Sequence, residues 1–62
     1  MHDLSDNYTL GSFARATDRV AVQARCTFDE ATDLMFERAE AERCSLGDIA
    51  IAVIEGRIRF DA

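Results

Sequence analysis

The sequence predicts a small all-α protein, a three-helix bundle. Three observations point there: a composition of helix formers, two capping signals at fixed offsets, and apolar residues recurring at three- and four-residue spacing. The 62 residues include no Pro, no Trp and only three Gly. Ala, Leu, Arg and Glu recur, and these types lose little conformational freedom in a helix. A chain this short makes one domain and buries only about 60% of its unfolded surface, so a tight bundle or a partner is expected to complete its core.

Residues 1–11 are mostly polar and turn-forming, apart from Leu4, Tyr8 and Leu10, and read as a flexible lead-in. Ser12 stands where an N-cap is wanted. From there Phe13, Ala16, Val20 and Ala24 fall on one stripe of a helix over 12–25. Val22 lies off that stripe, and the alternation Val20-Ala21-Val22 also fits a short strand, because β-branched side chains are stiff in a helix. The longer stripe favours the helix.

Thr27 and Glu30 form T-x-x-E, a capping box in which the hydroxyl accepts from the backbone three residues on while the carboxylate reaches back. A second helix over 28–43 follows, with Ala31, Leu34, Met35 and Ala39 on its buried face and Asp29 and Glu30 in a first turn where the helix dipole favours anions. Phe36 lies away from that face, as a contact on a second face or as an exposed aromatic. Ser45 and Asp48 repeat the capping logic and open a third helix over 46–55, with Leu46, Ile49, Ala50, Val53 and Ile54 inward and Gly56 at the left-handed closing position. The domain thus covers 12–56. The tail, 57–62, alternates Arg57 and Arg59 with Ile58 and Phe60, and either extends or folds its apolar residues back over the bundle.

Cys26 and Cys44 sit beside helix starts, and two cysteines in a chain without an export signal read as reduced thiols. His2 is the only histidine, and two thiols do not complete a four-ligand zinc shell, so neither metal nor cofactor is expected. No run approaches the roughly 20 apolar residues that span a bilayer, and the expected setting is cytoplasmic. Catalysis is not expected either. There is no G-x-S-x-G, no glycine-rich phosphate loop, and little volume for a pocket that would take a small-molecule substrate.

The spacing from Thr27 to Ile54 resembles one family. Thr27 ends a turn, Glu30-Ala31 opens the second helix, Ala39 follows at eight, Leu46 seven further on, and Ile49-Ala50 with Val53-Ile54 completes the register without a gap. This is similar to the ANTAR domain, a three-helix RNA-binding module of bacterial transcription antiterminators. The resemblance covers about residues 14–56 and implies RNA-level control of transcription. The first helix departs from it, for Thr17 and Asp18 stand where the family has lysine and glycine, so that a base is lost and an acid gained.

Charge constrains how such a function would work. The net charge is −5, and within 26–56 eight acids face only Arg38 and Arg43. A nucleic-acid interface normally carries a basic footprint, since phosphate contacts supply much of the affinity. Any footprint here is local, and its candidates are Arg15 and Arg19 on one helix face, Arg25 at that helix's end, and Arg38 and Arg43, which would meet the splayed bases of RNA hairpin loops. Against this stands pairing of the arginines with neighbouring acids, Arg15 or Arg19 with Asp18 and Arg38 with Asp33 or Glu42. A second function is a protein-interaction module that binds itself or a related regulator through an acidic face at Asp29, Asp33, Glu37 and Glu40. Self-association is expected in either case, with Ile51, Ile58 and Phe60 as the dimer interface and Tyr8 and Leu10 as contributors.

Overall fold

The computed structural model describes residues 10–61, and the side chain of Leu10 is not among the features described. Three helices follow in order, α1 (Leu10–Ala24), α2 (Phe28–Glu42) and α3 (Leu46–Ile54), with no strand among the described residues. Each helix packs on the other two. Most of the expected lead-in, Tyr8 included, lies outside the described residues. Leu10 and Gly11 are helical, so Ser12 sits inside the first turn and is not the N-cap. Gly and Ser cost little there because the first four amides have no partner within the helix in any case.

Both capping boxes form. Thr27 Oγ1 accepts from the Glu30 amide at 3.1 Å while Glu30 Oε1 accepts from the Thr27 amide at 2.9 Å. At α3 the Ser45 Oγ accepts from the Asp48 amide at 3.0 Å, with a longer return of 3.4 Å from the Ser45 amide to Asp48 Oδ2. Aspartate is one methylene shorter than glutamate, so its carboxylate stops short of the cap.

All three helices close the same way, through a left-handed residue followed by an amide that reaches five residues back. Cys26 donates to the Ala21 carbonyl at 3.0 Å, Cys44 to Ala39 at 3.0 Å, and Arg57 to Ala52 at 2.8 Å. The left-handed residue of α3 is Gly56, with φ of 81°, as its sequence position predicts. At α1 and α2 it is an arginine: Arg25 has φ of 57° and Arg43 of 55°, where the sequence reading continued both helices through these residues. The two junctions, Arg25-Cys26-Thr27 and Arg43-Cys44-Ser45, are therefore copies of one device, in which a helix stop leads directly into a capping box. They lie at opposite ends of α2, separated by 15 helical residues or roughly 22 Å. That distance rules out a bridge between Cys26 and Cys44 within one chain, and both thiols are free.

The core forms where small residues let the helices approach: Ala16, Ala31, Ala39 and Ala50 are buried, with Val20, Met35, Ile49 and Val53 filling the space between them. Phe13, Leu34, Leu46 and Ile54, expected in the core, are half-buried and pack against it. Gly47, Ala52 and Thr17 are buried too. Thr17 stands where the resemblance places a lysine, and it does not point outward. Instead it faces inward, and its hydroxyl donates to the Phe13 carbonyl at 2.9 Å and contacts Met35 Sδ at 3.5 Å, which leaves no buried side-chain polar atom unpartnered among the described residues.

The tail folds back. The Phe60 amide donates to Gln23 Oε1 at 2.8 Å, tying the chain end to α1 across 37 positions. Ile58 and Phe60 pack against the core as half-buried side chains.

Candidate nucleic-acid interface

Arg15 and Arg19 stand one helical turn apart on the exposed side of α1, about 6 Å along the axis. They line an open groove of about 550 Å³ with Asp18 and Val22 of the same helix and Ile54 from the end of α3. The helical period that turns Ala16, Thr17 and Val20 into the core turns these residues out. Neither arginine forms an ion pair with Asp18 or with any other described carboxylate. Their donors remain open to solvent. Val22, off the apolar stripe in sequence, is 77% exposed and forms an apolar wall of the groove.

The remaining arginines are placed differently. Arg38 pairs with Glu42 one turn on, as the sequence allowed, and its guanidinium lies 5.8 Å from the centre of the Phe60 ring. The ion pair is exposed, the cation–π contact joins the tail to α2, and together they leave Arg38 less free for another anion. Arg25 and Arg43 are exposed and make no ion pair with a described residue, but occupy opposite ends of α2. The five candidate arginines therefore do not converge. Only Arg15 and Arg19 share a site.

Opposite in sign is the outward face of α2. Asp29, Asp33, Glu37 and Glu40 are exposed and, like the groove arginines, make no ion pair with a described residue. At the edge of this face sits Phe36, 52% exposed, with Asp33 three residues before it and Glu40 four residues after. Sequence reasoning found the acids but left Phe36 undecided. The signal was its offset of one residue from buried Met35, which on a helix is a rotation of about 100° away from the core. Of the residues expected at a dimer interface, Ile58 and Phe60 have their apolar surface partly covered by their own bundle, and Ile51 is half-buried. No described helix is long and apolar enough to cross a membrane.

Comparison of the chain with protein-family models, with curated proteins and with solved structures finds no match in any of the three.

Proposed function

We propose that this chain is an ANTAR-like RNA-binding module acting in transcription antitermination or other RNA-level gene regulation. Its contact residues in this reading are Arg15 and Arg19. The observation that carries it is their pairing without neutralisation: two guanidinium groups one turn apart, with no ion pair to a described residue, beside an open groove with an apolar wall. Guanidinium planes stack on unstacked bases and bridge phosphates, and hairpin loops offer both where an RNA duplex hides its base edges. The ungapped register from Thr27 to Ile54 supports the same reading. A chain of net charge −5 has little long-range attraction for RNA, so binding rests on these local contacts.

The test is a mobility-shift titration of a hairpin RNA against the intact chain and the R15A/R19A double variant. The double variant should bind at least about tenfold more weakly, since removing one base-stacking side chain alone costs on the order of 1–3 kcal/mol. Equal binding by the two proteins, or none by either at low salt, would reject the assignment.

The acidic face of α2 favours a second reading, a protein-interaction module that binds a basic partner and no RNA. Four carboxylates without an ion pair among the described residues, beside an exposed phenylalanine, have the makeup of an interaction surface, an aromatic anchor next to a charged patch.

A further inference from the structure

The two surfaces without ion-pair partners among the described residues are complementary to each other. One has the two guanidinium groups of α1 and the apolar wall formed by Val22 and Ile54; the other has the carboxylates of α2 and the exposed ring of Phe36. Their spacing matches, because Arg15 and Arg19 are four residues apart and so are Asp33 and Glu37, which sets both pairs about 6 Å apart along their helices. The groove, at about 550 Å³, has room for a phenyl ring. Among the described residues lining it, Asp18 is the one opposing charge, outnumbered by the two arginines. The two surfaces do not meet within one chain, because α2 turns its other face to α1 and α3.

We infer that the groove of Arg15, Arg19, Val22 and Ile54 is a docking site for the acidic face of α2 of a second copy, with Phe36 seated between the apolar side chains. The contact is heterologous: each copy offers a groove and a ridge, and copies add head to tail into a ring or an open chain. Burial of Phe36, which solvent half covers in the single chain, supplies the non-directional part. The ion pairs set orientation and make the contact salt-sensitive. If RNA uses the same two arginines, self-docking and RNA binding exclude each other, and the carboxylates of a neighbour occupy the place of phosphates. That exclusion rests on the RNA reading, whereas the docking does not.

Sedimentation of the protein alone, without RNA, over micromolar to near-millimolar concentration tests it. The average mass should rise with concentration at low salt, pass twice the monomer, and fall back in high salt. R15E/R19E and D33R/E37R should each stay monomeric, and their mixture should assemble. Every substitution shifts the net charge of −5 by two, giving −9 and −1, so gross attraction between oppositely charged proteins does not bring the two variants together. F36A should weaken self-association of the unmodified charges at least about tenfold, with its helix content by circular dichroism unchanged. A strict monomer at low salt, a dimer indifferent to both charge reversals, or a mixture that stays monomeric would each overturn the docking. Because no RNA is present, these outcomes leave the RNA-binding experiment to stand or fall separately.

Discussion

The two faces of α1 differ in how their polar groups are satisfied. Inward, Ala16, Thr17 and Val20 are fully buried, and the only polar atom among their side chains, the threonine hydroxyl, has both a carbonyl acceptor and a sulfur neighbour. Outward, Arg15, Asp18 and Arg19 form no ion pair with one another or with any other described residue, although they lie within about one turn of each other. A buried polar group without a partner costs about 1–3 kcal/mol, so the inner face tolerates no loose end. Exposed charges are hydrated at almost no cost whether paired or not. The inner face therefore fixes the fold, and the outer face is free to be shaped by what it binds.

The largest effect that would break this contrast lies inside. Met35→Ala removes a fully buried side chain that touches Thr17, and should cost about 2–5 kcal/mol, enough to unfold much of a domain this small. Urea denaturation followed by circular dichroism measures it. An unchanged midpoint would show that α1 and α2 do not pack through this contact.

A smaller effect, of opposite sign, tests the junctions. Arg43 holds a left-handed backbone that glycine adopts freely, so Arg43→Gly should stabilise the protein by roughly 0.5–1 kcal/mol. Thermal melting reads this directly, and a lowered midpoint would mean that the arginine side chain contributes more to the fold than its exposure suggests. Smallest of all, R15A/R19A should change stability by no more than about 0.5 kcal/mol. A clear loss in urea would move the two arginines from the outer face's role to the inner one's.

The same contrast explains what could be read in the sequence. The capping boxes at Thr27 and Ser45 and the stripes of α2 and α3 were legible because they repeat at fixed offsets set by helix geometry. Thr17 was not, because a threonine does not count as apolar until its hydroxyl is seen to have partners. Ala52 and Gly47 were missed for a related reason, that small residues contribute little to an apolar stripe even where they allow the closest approach. Arg25 and Arg43 ran against preference, since a left-handed close normally calls for glycine. The fold of the tail depends on Gln23, 37 positions away, and no local pattern encodes that pairing. At the candidate site the sequence supplied the Arg15 and Arg19 spacing. Whether Asp18 neutralised them depended on side-chain placement.

The central claim is that the outward arginines of α1 bind RNA, and the salt dependence of RNA affinity tests it most directly. For a single-stranded target the logarithm of the affinity falls with the logarithm of salt by about 0.7 per phosphate neutralised. The intact chain should show such a slope, and R15A/R19A should bind more weakly with a slope shallower by up to about 1.4, the share of two phosphate contacts. An identical slope and affinity in both proteins, or affinity indifferent to salt, would contradict the claim.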